Sequence, residues 1–114
     1  MSKALKPVVS RRSITKGQAA LYDLTNERVA ANKAITLDEA VEIYSTKVCR
    51  NFVGGKPAGY VWQYDHAKEK YTAELEPLGE FELQQRAIQW LMQSIGSLVM
   101  KGYLKVTPMI ELGD

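Results

Sequence analysis

The sequence predicts an α+β domain built from three helices and a small antiparallel β-hairpin or sheet. Three observations predict it: two helix-start motifs early in the chain, two adjacent alternating segments in its middle, and one long segment with apolar residues at helical spacing. A length of 114 residues fits one domain, and 46% hydrophobic with 25% charged residues is a globular composition. The body of the chain should therefore fold as one unit.

Residues 1–13 are predicted to form a flexible basic arm ahead of a domain over residues 14–114. The arm contains four Lys and Arg residues and no acid, and Pro7 interrupts it. A helix over about residues 16–31 should follow, because Thr15 and Gln18 form a capping box in which each side chain accepts from the other's backbone amide. Asn32 can supply the C-terminal cap.

A second capping box, Thr36 with Glu39, predicts a helix over about residues 37–49. Asp38 and Glu39 place negative charge in its first turn, where the helix dipole favours it. Apolar residues recur at helical spacing from Leu37 to Val48, so one face of this helix should be buried.

The segment over residues 50–79 lacks the helical spacing of the two segments before it. Residues 52–59 contain three glycines and a proline and are predicted to be a loop. Residues 60–64 alternate aromatic with smaller side chains, and residues 70–75 alternate polar with apolar ones, which indicates a hairpin joined through residues 65–69. A helix over residues 62–75 is the competing interpretation, because residues 67–70 favour helix.

An amphipathic helix is predicted over about residues 80–101. Its apolar residues fall within an arc of about 140° at 100° per residue; they are Phe81, Ala87, Ile88, Leu91, Met92, Ile95, Leu98 and Val99. Gly102 should end it, a short strand over residues 103–107 should follow, and residues 109–112 could pair with that strand or cross to another edge. The expected common core contains Leu21, Leu24, Leu37, Val41, Tyr44, Ile88, Leu91, Ile95 and Leu98.

The segment from Arg86 to Val106 resembles the recognition helix and first wing strand of winged helix-turn-helix DNA-binding domains. The resemblance lies in a helix that closes as Leu98-Val99-Met100-Lys101-Gly102-Tyr103-Leu104 and runs into a strand. Residues 35–44 are similar to the preceding helix of that fold, and residues 15–31 would be its first helix. This resemblance implies a three-helix winged-helix core, decorated by an insertion over residues 50–79.

The resemblance implies double-stranded DNA as a partner, bound by the helix over residues 80–101 and by the basic arm. Residues that would contact DNA are predicted on the helix face away from the apolar arc, on the following strand and in the arm: Arg86, Gln89, Gln93, Ser97, Lys101, Lys105, Lys3, Lys6, Arg11 and Arg12. Glutamine and arginine make bidentate contacts with adenine and guanine. The expected function is that of a small transcriptional regulator or architectural factor, a homodimer of bacterial or phage origin.

A protein-interaction module is the alternative function, as an accessory or inhibitor protein that grips a partner through its aromatic insertion. The residues that would form this interface are Trp90, Leu83, Tyr60, Trp62, Tyr64 and Tyr71. Trp90 and Leu83 lie outside the apolar arc, so either the inserted segment covers them or they form a dimer or partner surface. The acidic second half of the chain favours this alternative, whereas the basic arm and the glutamine-rich helix favour DNA.

No enzyme, cofactor or metal site is expected. The chain has one histidine and one cysteine, His66 and Cys49, too few for a zinc site or for a catalytic triad of the common kinds. The lysine in Gly54-Gly55-Lys56-Pro57 lacks the serine or threonine that follows it in a phosphate-binding loop. No segment has the roughly 20 apolar residues of a membrane span, and a single cysteine suits the cytoplasm.

Overall fold

The computed structural model describes residues 14–113. The predicted arm, with Lys3, Lys6, Arg11 and Arg12, lies outside the described residues. The helices are α1 (Lys16–Ala30), α2 (Leu37–Ile43) and α3 (Glu80–Met100), and a π-helical turn (Tyr44–Val48) follows α2. The strands are β1 (Ile35–Thr36), β2 (Phe52–Val53), β3 (Lys56–Asp65), β4 (Lys70–Pro77) and β5 (Ile110–Glu111). The chain is therefore mixed α+β, as the sequence predicts.

Both predicted capping boxes are present. The Gln18 amide lies 3.1 Å from the Thr15 hydroxyl, and the Glu39 amide lies 3.2 Å from the Thr36 hydroxyl. The glutamine and glutamate side chains each accept from the backbone amide of the capping residue. Because capping depends on residues only three positions apart, these helix starts could be predicted without any tertiary information.

The second helix differs from the prediction at its end. Its α-helical part stops at Ile43, and the next five residues form the π-helical turn, which closes with a 2.8 Å hydrogen bond from the Cys49 amide to the Tyr44 carbonyl. A π turn accommodates an extra residue, so side chains after Ile43 are rotated relative to a continuous α-helix. This rotation determines where Lys47 and Arg50 lie.

Residues 56–77 form the predicted hairpin, with β3 and β4 paired from Ala58↔Pro77 to Asp65↔Lys70. The competing helix over residues 62–75 is wrong. The predicted loop over residues 52–59 is also wrong in part, because Phe52 and Val53 pair with Pro57 and Lys56 across a turn at Gly54 and Gly55. We call the paired strands β3 and β4 the ribbon.

The third helix has the predicted bounds to within one residue, and Gly102 follows it with a φ of 84°. Its buried face differs from the predicted arc. The buried residues are Ala87, Leu91, Ser94, Ile95 and Leu98, whereas Phe81, Met92 and Val99 are exposed. The buried face is thus rotated by about 40° at 100° per residue, toward Trp90. Packing against α1 and α2 selects the small Ser94 over the larger Met92.

The predicted strand over residues 103–107 is wrong, because these residues form bends and irregular backbone. The final segment instead crosses to another edge, the second of the two predicted possibilities. Its Ile110 and Glu111 pair in parallel with Ile35 and Thr36 of β1. A two-residue parallel pair joins chain segments about 75 residues apart, and neither segment carries a local signal for it.

Four of the predicted core residues are buried: Leu21, Leu91 and Leu98 completely, and Ile95 with 5% of its surface exposed. Leu24, Leu37, Val41, Tyr44 and Ile88 are only half-buried. The core also contains several residues that are absent from the expected core set, namely Ile14, Ala19, Ile35, Ala40, Leu104 and Ala87, the last of which belongs to the predicted apolar arc of α3. Three of these are alanines, which bring helix backbones close together but contribute little to a hydrophobic pattern.

An ion pair between Arg28 of α1 and Glu39 of α2 connects the two helices. Burial raises the pKa of Glu39, but hydrogen bonds from the Thr36 amide and Arg28, together with the positive charge of Arg28, outweigh burial. The pKa therefore lies below its ordinary value of 4.5. Since the folded chain gives up this proton more readily than the unfolded chain, the stabilisation is complete above pH 4.5 and is lost as the pH falls through the folded-state pKa.

We expect Glu39→Gln to lower the free energy of unfolding by about 0.5–1 kcal/mol at pH 7. Glutamine still completes the capping box, so the substitution removes mainly the charge. Urea denaturation should show a smaller loss of stability between pH 6 and pH 4 for the variant than for the wild type. Glu42→Gln, an exposed carboxylate on the same helix, is the control, and an equal acid dependence in wild type and Glu39→Gln would contradict the prediction.

Candidate nucleic-acid interface

An open groove of about 760 Å³ lies between the start of α1, the π-helical turn and the second half of α3. Three cationic side chains line it: Lys16 from the first turn of α1, Lys47 from the π-helical turn, and Arg50 just after that turn. Gln93, Ser94 and Ser97 of α3 form the opposite wall. None of the described residues that line this groove is an aspartate or glutamate.

The groove has an aromatic floor made by Trp90. A Cβ built on Gly17 would lie 3.0 Å from Trp90 Cζ2 and 2.5 Å from a Val48 methyl carbon, so the tryptophan ring packs directly on the α1 backbone. A residue larger than glycine cannot occupy position 17 unless Val48 and Trp90 move. This contact holds α1, the π-helical turn and α3 close together, and it thereby fixes the width of the groove.

Trp90 is half-buried against the core, and its ring contacts α1 at Gly17 close to Val48 of the π-helical turn. A rotation of about 40° brings Trp90 from about 130° to about 90° from the centre of the buried face, so the ring lies at the edge of that face. Leu83, one heptad earlier, is also half-buried.

The predicted DNA-reading face of α3 is divided by the structure into two regions. Gln89 and Gln93 are exposed, and Ser97 is half-exposed on the wall of the groove. Arg86 is instead held by Glu82, with 3.0 Å between its Nε and Oε2 of the carboxylate. This hydrogen bond, together with nearby Tyr44, raises the pKa of Arg86 above its ordinary value despite burial.

Arg86 also contacts the base of the ribbon. A Cβ on Gly59 would lie 3.0 Å from one of its guanidinium nitrogens. The side chain thus lies between Glu82, Tyr44 and the β3 backbone, where it fastens the ribbon to α3. The Glu82 carboxylate therefore lies beside Arg86, whereas no described aspartate or glutamate lines the groove at Gln93 and Ser97.

The remaining predicted cations are exposed but lie apart from the groove. Lys101 follows the last residue of α3, and Lys105 lines a separate cavity of about 370 Å³ between α1 and residues 103–106. Asp23 lines a neighbouring cavity of about 410 Å³ that shares Lys16 and Lys47 with the groove. One carboxylate therefore borders a region that contains three cations.

Sequence analysis missed Lys16, Lys47 and Arg50 as a group. Each is an ordinary exposed cation in the sequence, and about 30 residues separate Lys16 from the other two. Two signals were available: the excess of Lys and Arg over Asp and Glu in residues 1–56, ten against five, and the absence of acids from the first turn of α1. Neither signal could show that the three side chains face the same groove.

Four of the five aromatic residues of the predicted protein interface lie on one face of the ribbon. Tyr60, Trp62 and Tyr64 alternate along β3, and Tyr71 is the cross-strand partner of Tyr64. The rings of Tyr64 and Tyr71 meet edge to face, with 5.1 Å between centroids. The exposed fractions of Tyr60, Trp62, Tyr64 and Tyr71 are 61%, 69%, 43% and 67%.

No helix within residues 14–113 has the length and apolar character needed to cross a membrane. Within the same residues, no three His, Cys, Asp or Glu side chains converge as metal ligands would. Comparisons of the chain with protein-family models, with curated proteins and with solved structures found no match in any of the three.

Proposed function

We propose that the protein binds double-stranded DNA through the groove between α1, the π-helical turn and α3, and that it acts as a small transcriptional regulator or architectural factor. The observation that carries the proposal is the convergence of Lys16, Lys47 and Arg50 opposite Gln93 and Ser97. Cations of this kind neutralise phosphates and position a protein on the duplex, while amide and hydroxyl groups also bond to the backbone or to base edges.

Base recognition is assigned to Gln89 and Gln93. A glutamine side chain can donate to N7 and accept from N6 of adenine in the major groove, which makes it a selective contact. Both side chains are exposed on α3 and lie away from its buried face. Arg86 would have to leave Glu82 before it could contact a base, so it contributes less to recognition in this proposal than the two glutamines do.

The proposal assigns phosphate contacts to the basic arm as well. Lys16, which lines the groove, lies three positions after the last arm residue in the sequence. Lys3, Lys6, Arg11 and Arg12 would add phosphate contacts on a neighbouring part of the duplex. A three-helix scaffold of the winged-helix type, with the ribbon as its insertion and with no wing in residues 103–107, is the framework that we propose for this arrangement.

The test removes the three groove cations together, as Lys16→Gln/Lys47→Gln/Arg50→Gln. If each contacts one phosphate, the dependence of log binding constant on log salt should lose about 0.9 per contact, or roughly 2.7 in total. Fluorescence anisotropy of a labelled duplex at several salt concentrations measures this slope. Circular dichroism confirms that the variant keeps its fold.

The matched control neutralises three exposed ribbon lysines, as Lys56→Gln/Lys68→Gln/Lys70→Gln. This variant has the same net charge as the groove variant, but the slope should remain at the wild-type value. An equal loss of slope in both variants would mean that duplex binding depends only on net charge, and the groove would not be the binding surface. Absence of binding to any duplex at low salt would refute the function itself.

The aromatic face of the ribbon supports a protein-interaction module as the second candidate function. Exposed aromatic clusters of this size are typical of protein interfaces. A chain that binds no DNA at low salt, but binds another protein in a manner abolished by Trp62→Ser, would favour this function over the first.

A further inference from the structure

We infer that the aromatic face of the ribbon is a self-association surface, and that its occupant is the same face of a second copy of this chain. The face consists of alternate residues of the two strands: Tyr60, Trp62 and Tyr64 on β3, with their cross-strand partners Leu75, Ala73 and Tyr71 on β4. None of these six side chains is charged. A partner surface must therefore be uncharged as well, since an unpaired charge buried there would lose its hydration.

The opposite face of the ribbon is mostly polar. It contains Gln63, Thr72, Glu74 and Glu76 together with the apolar Val61, and the Gln63 amide nitrogen lies 2.9 Å from Oε2 of Glu76. The ribbon is therefore amphipathic, as a sheet is when only one of its faces is buried. Its aromatic face is nevertheless exposed in the single chain. Because an isolated two-stranded hairpin is only marginally stable in water, covering this face would also stabilise the ribbon.

The face is complementary to itself in shape. At its centre the largest side chain, Trp62, is paired with one of the smallest, Ala73. A two-fold axis that runs along the ribbon places the β3 row of one copy over the β4 row of the other. Trp62 then lies above Ala73 of the second copy, and the same contact occurs twice. Large side chains over small ones allow two layers to interdigitate.

The area is sufficient for a weak dimer. A fully exposed aromatic side chain offers about 200 Å², so four that are 43–69% exposed offer on the order of 500 Å² per copy. Two copies would bury about 1,000 Å², close to the lower limit for a specific interface. We therefore expect a dimer that dissociates at low micromolar concentrations and forms fully at higher ones. The rim charges of the ribbon include both signs, so they do not prevent association of like copies.

Sedimentation velocity of the full chain, from about 1 to 300 μM and without DNA, tests the inference. The wild type should change from monomer to dimer over this range. Trp62→Ser should shift the midpoint at least tenfold upward. Val61→Ser should not, because Val61 is the adjacent residue on the opposite face and is 42% exposed. Circular dichroism checks the ribbon in each variant.

A second pair of variants keeps Trp62 in place. Ala73→Arg puts a charged, bulky side chain at the centre of the exposed face, where a monomer tolerates it but the second copy does not. Thr72→Arg, on the polar face, is its control. A wild type that remains monomeric at 300 μM would overturn the inference, as would a dimer that both Trp62→Ser and Ala73→Arg leave intact. Since no DNA is present, these outcomes do not depend on the proposed DNA-binding function.

Discussion

Leu91→Ala is expected to lower the free energy of unfolding by about 2–5 kcal/mol, the range for truncation of a fully buried leucine. Leu91 has no exposed surface and lies in the middle of the buried face of α3, between Ala87 and Ile95. Because α1 and α2 both pack on this face, the space left by the missing side chain cannot be filled by movement of one element alone. Denaturation by urea at one fixed protein concentration measures the loss and keeps any contribution of self-association constant.

Met92→Ala is the matched control. Methionine at position 92 is 53% exposed although it belongs to the predicted apolar arc, so its truncation should change stability by no more than about 0.5 kcal/mol. The two variants together distinguish the observed buried face from the predicted one. If Met92→Ala lowered the free energy of unfolding as much as Leu91→Ala does, the buried face of α3 would be the one that the hydrophobic pattern predicts.

Neutralising the arm should have the largest effect on DNA binding. In the full chain, Lys3→Gln/Lys6→Gln/Arg11→Gln/Arg12→Gln removes four cations and should lower the salt dependence of duplex binding by roughly 3.6, if each contacts one phosphate. Preference for one DNA sequence over another should change little, because phosphate contacts carry no base information. Anisotropy titrations against one preferred and one random duplex measure both quantities.

A control for this experiment neutralises four cations that the proposal places away from DNA, at Lys33, Lys56, Lys68 and Lys70. Its salt dependence should match that of the wild type. An arm variant whose salt dependence equals that of the wild type would show that residues 1–12 do not contact the duplex. The salt dependence of the variant that lacks the charges of Lys16, Lys47 and Arg50 would then be the remaining test of the groove.

Elements that depend on neighbours in the sequence could be predicted from it. The starts of α1 and α2 follow from capping boxes that span three residues, and the end of α3 follows from Gly102. The hairpin follows from alternation within β3 and β4. In each case the stabilising hydrogen bonds or the side-chain pattern lie within one short segment, so no other part of the chain was needed to recognise them.

The tertiary structure decided which face of α3 is buried, and hence the role of Trp90. Hydrophobicity alone ranks Met92 above Ser94, yet Ser94 is buried and Met92 is exposed, and the α3 residue that faces the α1 backbone at Gly17 is Trp90. The alanines of the core carry only a weak hydrophobic signal, although Ala87 does belong to the predicted apolar arc of α3. Their contribution is space for a neighbouring helix, and that neighbour is known only once the chain has folded.

The sequence by itself thus determined an α+β chain with a basic first half, an aromatic hairpin and a long amphipathic third helix. Only the tertiary structure brought Lys16, Lys47 and Arg50 to the same groove as Gln93 and Ser97, and placed β5 beside β1. The groove depends on a π-helical turn and on contacts between residues up to about 80 positions apart. Local preferences act over three or four residues, so they cannot specify which distant side chains meet.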